Sequence, residues 1–421
     1  MACRTVGGRA ALGAILFAAF FAAAEAQADE EADPPLTVDF FGRLNAESRL
    51  FPAAPAFSGQ RSAPSGFVAE PTFHVEDERW SFTLVPFFRY DHADPRRTHF
   101  DLREAYLLFL GDGWEVRLGV EQVFWGVAES QRLVDIVNQV DLVEHPSGEA
   151  KLGQPVAHVT WFGGWGALEV LAMSYHRART FPGSRGRLRL PFVMDRDHVR
   201  YESSARRGGL DVASRYSHNL GPVDLGVSAF DGTSREPFLQ RVDGDADEPI
   251  LVQYYGQIRQ LGSDVQLTLG SWLLKAEAIG RTGAPNLAGR NEDYFAAVLG
   301  GEYTFYTVAG SGVDMSLLGE WNYDSRGPYA TSNRTPNILE NDVFFAARFA
   351  FNDVQGTELT MSVLADARRA TRALALEFGR RISNAWSLRA EAVALLSVDE
   401  ADLLYEMRHD SFIDMSLVYS F

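Results

Sequence analysis

The C-terminal segment, residues 411–421, alternates between apolar and polar side chains. One face is apolar and carries Ile413, Met415, Leu417, Tyr419 and Phe421. The other face is polar except for Val418. Because successive side chains of a β-strand point to opposite faces, this alternation predicts a strand with one apolar face. About ten alternating residues is also the length with which a tilted strand crosses a bilayer.

The same alternation recurs along the chain, interrupted in turn by tight turns and by longer loops. Tight turns are predicted near residues 77–79, 111–113, 163–164, 219–222, 270–271, 309–312, 352–356 and 383–385. Longer loops are predicted at residues 52–66, 94–95, 126–153, 177–208, 232–256, 282–292, 324–340, 366–370 and 399–410. Short turns at one end and long loops at the other are typical of transmembrane barrels. We therefore predict an all-β, antiparallel, up-and-down transmembrane β-barrel of about 18 strands, with 16 as the alternative count, short periplasmic turns and long outer loops.

Tryptophan placement favours the membrane barrel over a soluble β-protein. Several tryptophans lie in or just after a tight turn, namely Trp80, Trp114, Trp165, Trp272 and Trp386. At one end of the strands they would form a belt at the membrane interface, where an indole buries its ring and keeps its N–H hydrated.

The start of the chain predicts export. Residues 1–28 combine a positively charged start, an uncharged apolar run and an Ala-x-Ala cleavage site, as secretory signal peptides do. Residues 29–421 are then the barrel. The single cysteine, Cys3, lies in the signal peptide, so no disulfide is expected. The net charge of −17 argues against nucleic-acid binding.

Residues 102–142 carry two patterns that resemble a porin-like family of outer-membrane barrels known mainly as a domain of unknown function. The first, R-x-G-x-x-x-x-x-W-G, runs from Arg117 to Gly126. The second, D-x-x-N-P-x-D, runs from Asp135 to Asp141, with Gln139 in place of the proline. This resemblance implies an envelope channel or a role in lipid export, without defining a substrate. The terminal aromatic residue is similar to that of bacterial outer-membrane barrels, which implies that the last strand closes the barrel and is read by the assembly machinery.

Charged side chains of this region are expected to face the lumen, because charge facing lipid is costly near the bilayer midplane. In residues 114–124 the alternation turns Arg117 and Glu121 inward. In the preceding strand Leu102, Tyr106 and Leu108 are expected to face outward and Arg103 inward, and Glu104 then points outward unless a bulge shifts the phase. The predicted pore residues are Arg103, Arg117, Glu121, Asp135 and Asp141. The alternative is that these charges form a salt-bridged plug without a transport role.

The loop that follows has helical spacing of apolar residues. Residues 127–152 contain Leu133, Val134, Ile136, Val137 and Val140, which predicts a short amphipathic helix. Its apolar face would be buried if the loop folded into the lumen and narrowed the pore. The alternatives are a helix over the barrel mouth or a contact with a neighbouring subunit.

Two other loops carry concentrated charge. The first holds Arg177, Arg179, Arg185, Arg187, Arg189, Arg196, Arg200, Arg206 and Arg207. Guanidinium groups bind phosphate well, so lipopolysaccharide or an anionic solute is one candidate partner. The alternative is a solvated loop paired with Asp195, Asp197 and Glu202. Residues 243–248 resemble the start of a calcium loop but lack its central glycine and closing glutamate, so we predict no metal site.

No catalytic motif is recognisable, and the chain is not expected to be an enzyme or to bind a cofactor. We predict a porin-like channel in the outer membrane of a Gram-negative bacterium, passing small polar or charged solutes through a charged lumen. Expected partners are outer-membrane lipid, lipopolysaccharide and the barrel assembly machinery. The alternatives are a lipid-traffic or assembly partner without pore activity, and a hydrolase in which His158 or His176 meets a serine at the mouth.

Overall fold

The computed structural model describes residues 36–243, 249–286, 290–327 and 339–421, which form 21 strands. In chain order the strands are β1 (Thr37–Leu50), β2 (Ser65–Glu76), β3 (Trp80–Asp91), β4 (His99–Gly111), β5 (Trp114–Glu121), β6 (Gln154–Gly163), β7 (Gly166–Met173), β8 (Met194–Tyr201), β9 (Asp211–Leu220), β10 (Val223–Thr233), β11 (Phe238–Asp243), β12 (Pro249–Tyr255), β13 (Gln257–Leu269), β14 (Trp272–Pro285), β15 (Asn291–Phe305), β16 (Asp314–Asp324), β17 (Asn341–Ala350), β18 (Glu358–Asp366), β19 (Arg372–Arg381), β20 (Trp386–Ser397) and β21 (Phe412–Ser420). All of them except β8, β11 and β12 belong to one closed, antiparallel, 18-stranded barrel. The predicted fold class is confirmed.

The barrel closes where the first strand meets the last. β1 pairs with β21 in antiparallel register from Arg43 opposite Ser420 to Leu50 opposite Ile413. Beyond β21, the Phe421 N–H donates to the Gly42 carbonyl at 3.1 Å, and the Gly42 N–H donates back at 3.0 Å. The Phe421 ring lies 5.5 Å from the ring of Phe40. The C-terminal residue is therefore part of the seam that removes both open sheet edges.

The predicted alternation of tight turns and long loops holds for most connections, but residues 306–313 and 351–357, predicted as tight turns, are longer than residues 367–371, predicted as a long loop. The tight-turn end carries the exposed indoles of Trp114, Trp165, Trp272 and Trp386. Two of these rings contact tyrosines on the neighbouring strand, because Trp272 lies 4.7 Å from Tyr303 and Trp386 lies 4.9 Å from Tyr419 between ring centroids. Together they form the aromatic belt that the sequence predicted at this end.

The outer surface of the strands is apolar. Exposed positions include Leu107, Leu118, Val227, Leu261, Leu274, Phe295, Leu299, Phe345, Met361, Ile413 and Met415. Their neighbours in sequence face inward and are mostly polar or charged, including Arg103, Asp264, Glu277, Glu320 and Asp414, all of them buried. An apolar outer band with a polar interior is the pattern that a bilayer imposes on a barrel.

One predicted strand phase is wrong. A register shift lies in β4 between Glu104 and Leu102, opposite Val85 and Pro86 of β3. The extra residue is Arg103, so Glu104 turns inward together with Arg103. Leu108 is opposite Arg117, whose side chain faces the interior, and Tyr106 is opposite Gly119 on the same face. Tyr106 and Leu108 therefore point inward and not outward. The bulge is the device that keeps the carboxylate of Glu104 out of the lipid.

Two of the predicted long loops contain strands of their own. β11 pairs with β12 in antiparallel fashion and β12 pairs with β8 in parallel, which gives a small sheet built from the β7–β9 and β10–β13 connections. No helix among the described residues is long and apolar enough to span a membrane. Single 3-10 turns occur at Arg206–Gly208, Val308–Gly310 and Leu403–Met407. The predicted signal peptide and residues 244–248 of the calcium-like segment lie outside the described residues.

Candidate functional site

The connection between β5 and β6, residues 122–153, folds into the barrel and is called the inner loop. The buried apolar residues of this loop that join the main core cluster are Val123, Trp125, Ala128, Leu133, Val134, Ile136 and Val137. They share one cluster with inward-facing wall residues of β6 to β15, among them Leu171, Ala213, Phe230, Ile279 and Val298. Val134 and Val137 are completely buried. The apolar face that sequence periodicity identified is thus covered by the barrel wall.

Two carboxylates of the wall hold the inner loop by its backbone. Glu277 of β14 accepts hydrogen bonds from the N–H groups of Val127 at 2.6 Å, Ala128 at 2.8 Å and Val134 at 3.3 Å. Glu320 of β16 accepts hydrogen bonds from the N–H groups of Glu129 at 2.9 Å and Ser130 at 2.8 Å. The backbone between and beyond these contacts is irregular, so the predicted helix in residues 127–152 is wrong. The described residues of this loop contain isolated turns, such as the one closed by the His145 N–H and the Asp141 carbonyl at 3.4 Å, but no helix.

Two residues of the family-like patterns make this anchoring feasible. Gly126 has a φ of +98°, and a Cβ placed there would lie 2.6 Å from Glu277 Oε1. Glycine is therefore required for the carboxylate to reach the loop. Asn138 ties the two ends of the loop together. Its Oδ1 accepts from the Val123 N–H at 2.8 Å, and its Nδ2 donates to the carbonyls of Glu121 and Leu152 at 2.8 and 2.9 Å.

The two predicted pore aspartates of the loop have different partners. Asp141 is fully buried, and it accepts from Arg103 Nη2 at 2.8 Å and from the Thr180 hydroxyl at 2.5 Å. Asp135 forms an ion pair with Lys151 within the loop. Burial raises the pKa of Asp135 and lowers the pKa of Lys151, against the attraction between the two groups. The structure therefore brings Asp141 to the wall and leaves Asp135 inside the loop.

The other predicted pore residues lie on the wall. Arg103 is buried, and its guanidinium stacks over the Phe87 ring at 4.1 Å. Arg117 is more open and contacts Glu121 at 3.3 Å. Glu121 also faces Nδ1 of the buried His158 at 3.1 Å, a contact that sequence spacing did not indicate. The five predicted residues thus form three separate ion pairs around the root of the inner loop, and their role in selectivity stays a prediction.

The tip of the inner loop reaches across the interior to the strands near the seam. Glu144 pairs with Arg89 of β3 at 2.6 Å. The next residue, His145, contacts Glu391 of β20 at 3.1 Å through Nε2. Since Glu277 and Glu320 hold the beginning of the loop on the far side, the inner loop spans the barrel. Arg348 of β17 and Glu377 of β19 stay exposed beside it, and the space next to these residues is called the gap.

Exposed charges border this gap, and sequence analysis did not single them out. Arg132 and Glu129 of the loop are exposed, and the charges of Arg132, Lys275 of β14 and Arg348 of β17 act on Glu129. Lys275 contacts Glu129 at 2.9 Å. Burial alone would raise the pKa of Glu129, but this ammonium group outweighs it and lowers the pKa.

An acidic group lies further along the same gap. Glu377 of β19 is opposite Glu391 of β20, and the charge of the loop residue Glu149 acts on Glu377. Glu149 and Glu377 are exposed. The alternation of β17, β19 and β20 could have placed these wall charges inward. The loop charges lie in irregular backbone, for which no periodicity gives a direction.

Several guanidinium groups of the arginine-rich loop are used inside the protein. Arg177 pairs with Asp101 at 2.6 Å, and Arg187 pairs with Asp410 at 2.7 Å. Asp195, one of the acids expected to pair with these arginines, contacts His198 at 2.7 Å. Arginines of this loop therefore fix the outer loops to the barrel.

No protein-family model matches the chain, and no curated protein matches it. A solved structure described as "Asymmetric conductivity of engineered proteins" is similar with 11% identity and a TM-score of 0.45, over 91% of this chain and 100% of that chain. A triple mutant of the Rhodopseudomonas blastica porin also has 11% identity and a TM-score of 0.45, over the same 91% and 100%. The resemblance to the family of unknown function stays a prediction.

Proposed function

We propose that this chain is a channel of the porin type that passes small polar or charged solutes across the outer membrane of a Gram-negative bacterium. The observation that carries the proposal is the inner loop. It is fastened at its beginning by Glu277 and Glu320 and at its tip by ion pairs of Glu144 and His145, and exposed charges lie beside it. A barrel that served only as an anchor would not need a loop fixed in this way inside it.

The charges at the gap suit a pore that discriminates by charge. Arg132 and Arg348 act on Glu129, and Arg348 also acts on Glu377, which lies near the carboxylates of Glu149 and Glu391. Charges of opposite sign across a narrow aqueous passage produce a transverse field, which orders water and distinguishes solutes by charge and dipole. We expect this field to act together with Arg117 and Glu121, since Arg117 is the predicted pore residue with an accessible side chain.

The apolar outer surface of the barrel supports the proposal that the protein lies in the outer membrane. The apolar band and the belt of indoles match the needs of a barrel in lipid. Lipopolysaccharide is the proposed partner of the arginine-rich loop, through arginines such as Arg185 and Arg206. The barrel assembly machinery is the proposed partner of β21 and Phe421, because that strand completes the seam.

Planar-bilayer recordings of the purified protein test the proposal. Folding is first verified by a shift in gel mobility before and after boiling, which is the behaviour of a stable barrel. We expect stepwise conductance and a nonzero potential at zero current in a salt gradient, shrinking at high salt, where the Debye length falls to about 3 Å. A folded protein that never conducts would contradict the channel and favour the lipid-traffic or assembly alternative.

Hydrolysis is the second candidate function, and one contact favours it. The Ser147 hydroxyl lies 2.7 Å from His145 Nδ1, and His145 Nε2 lies 3.1 Å from Glu391. A serine, an imidazole and a carboxylate in line form the constellation of serine hydrolases. Release of fatty acid from phospholipid by the parent protein, abolished in S147A, would establish this activity. Equal release by both proteins, or none, would assign the contact to the fold of the loop tip.

A further inference from the structure

His99, at the start of β4, presents an unsatisfied nitrogen to two carboxylates of the inner loop. Its Nδ1 lies 3.0 Å from the backbone carbonyl of Arg97, so this nitrogen carries the proton and donates. Its Nε2 is buried and has no hydrogen-bond partner among the described residues. That nitrogen lies 3.5 Å from Glu144 Oε1 and 4.0 Å from Asp141 Oδ2. The ligand atoms of the three residues all lie within 4.8 Å of one another.

These distances fit a shared cation better than a shared proton. A hydrogen bond from a protonated Nε2 needs about 2.7–3.2 Å to its acceptor, and both oxygens are beyond that range. Ligands at about 2.0–2.2 Å from a tetrahedral zinc ion are separated from each other by roughly 3.4 Å. The pair of Nε2 and Glu144, at 3.5 Å, already has this separation, and the others, which lie within 4.8 Å, need to close by at most about 1.4 Å. A ring nitrogen that donates to a backbone carbonyl is also the usual support of a metal-binding histidine.

The charges around His99 favour the binding of a cation. Five carboxylates join the ion-pair network around His99, and they belong to Glu47, Asp91, Asp101, Asp141 and Glu144. Four guanidinium groups pair with them, and they belong to Arg89, Arg97, Arg103 and Arg177. The network therefore has one negative charge in excess when His99 is neutral.

The two carboxylates keep the capacity to bind a metal beside their arginines. Glu144 accepts from Arg89 Nε, and Asp141 accepts from Arg103 Nη2. A carboxylate offers about four lone-pair sites, so each group has one left that can point toward His99. Hydrogen-bonded carboxylates are common metal ligands, since the outer partner fixes the orientation of the ligand.

We propose that His99, Asp141 and Glu144 bind a divalent transition-metal ion, for which zinc is the suitable probe, and that the ion fastens the inner loop to β4. One imidazole and two carboxylates with a fourth position for water are a donor set that zinc accepts. The site joins the part of the loop next to its tip to the wall opposite Glu277 and Glu320. A bound ion thus completes the attachment of the loop on the side where the other contacts are ion pairs.

Zinc titration of the full-length protein in detergent, after treatment with a chelator, tests the site by calorimetry. We expect saturable binding of one zinc ion per chain. H99Q and E144Q should each weaken it by at least roughly tenfold, because each removes one of three ligands. The matched control is H74Q, since His74 faces a single carboxylate, Glu76, at 3.4 Å. Heat-modifiable gel mobility shows that each variant is folded.

Loss of binding in H99Q and in E144Q, with normal binding in H74Q, would establish the site. Absence of saturable zinc uptake by the parent protein would overturn it. Zinc binding that survives H99Q would also overturn it. Because the readout is binding and not conductance, failure of the metal site leaves the channel proposal intact, and failure of the channel leaves the metal site intact.

Discussion

Replacing Glu277 by glutamine should loosen the inner loop without a change of shape at the wall. Glutamine keeps one acceptor oxygen for the N–H groups of Val127 and Ala128, which donate to Oε1 at 2.6 and 2.8 Å. It places an NH2 group where Oε2 accepts from the Val134 N–H at 3.3 Å. The variant thus turns two charge-assisted hydrogen bonds into neutral ones and abolishes a third.

The expected magnitude follows from these three contacts. Hydrogen bonds to a charged group contribute about 1.5–3 kcal/mol each, and neutral ones about 0.5–1.5 kcal/mol. The lower cost of burying an amide offsets part of the loss, so we expect the attachment of the loop to weaken by about 2 kcal/mol. Since 1.4 kcal/mol corresponds to a factor of ten, the amides of Val127, Ala128 and Val134 should exchange with deuterium roughly 30-fold faster. Glu277→Ala removes all acceptors and should have a larger effect.

Hydrogen exchange read by mass spectrometry measures this directly, and single-channel conductance measures its consequence. We expect faster exchange in residues 127–134, unchanged exchange in the strands, and larger or noisier conductance. The matched control is E302Q, since Glu302 lies on the neighbouring strand β15 opposite Leu273 and faces the same interior near the tight-turn end. Exchange in E277Q that equals the parent would refute the view that wall carboxylates hold the loop.

Three further predictions test other parts of the same molecule. Arg348→Gln should shift the zero-current potential in a salt gradient toward cation selectivity, and Glu377→Gln should shift it toward anion selectivity. Replacement of the buried arginine in Arg103→Gln should have a smaller effect on selectivity. Shifts of equal size in all three variants would show that the exposed charges are not the ones that determine selectivity. Asn138→Ala removes three hydrogen bonds at the root of the loop and should destabilise the folded barrel by about 2–4 kcal/mol. The folded band on the gel should then disappear at a lower temperature than in the parent protein. Asn219→Ala, in an exposed turn, should behave like the parent protein. His176 donates from Nε2 to the Ser234 carbonyl, and burial lowers its pKa from the ordinary 6.5 to about 2. The contribution of neutral His176 to stability is therefore full above pH 6.5 and declines as the pH falls toward 2. Hydrogen exchange around Ser234, corrected for its intrinsic rate, should increase on acidification in the parent protein and stay level in H176Q.

The architecture was predictable because a barrel in lipid repeats one simple rule. Each strand must turn apolar residues outward, so residues 411–421 and their counterparts carry a period of two that the structure retains. Turn chemistry separated most of the short connections from the long ones. The failure in β4 arose where a single extra residue, Arg103, reversed the phase, and the outward Glu104 that plain alternation required was the sign of the bulge.

The interior was less predictable, because its contacts join residues that are far apart in the chain. The apolar spacing of Leu133, Val134, Ile136 and Val137 predicts a helix, although the same residues bury equally well as irregular backbone against the wall. The deciding contacts come from Glu277 and Glu320, more than a hundred residues away. Local periodicity contains no information about an acceptor supplied by another strand, whereas the glycine at Gly126 was a visible sign that something approaches the backbone closely.

Inward-facing charges of this barrel are of two kinds, buried and paired or exposed to water, and only the second kind is expected to determine selectivity. Asp141 and Arg103 oppose each other in a buried pair, and Glu277 is buried beneath amide donors, so an ion in the gap does not contact these groups directly. An ion in the passage responds to charges that water reaches and that have no close counter-ion. Those conditions favour Arg132, Arg348, Glu149 and Glu377 over the residues that the sequence motifs emphasise. The motif residues build the loop that narrows the interior, and the residues outside the motifs are the ones that we expect to decide which solutes pass.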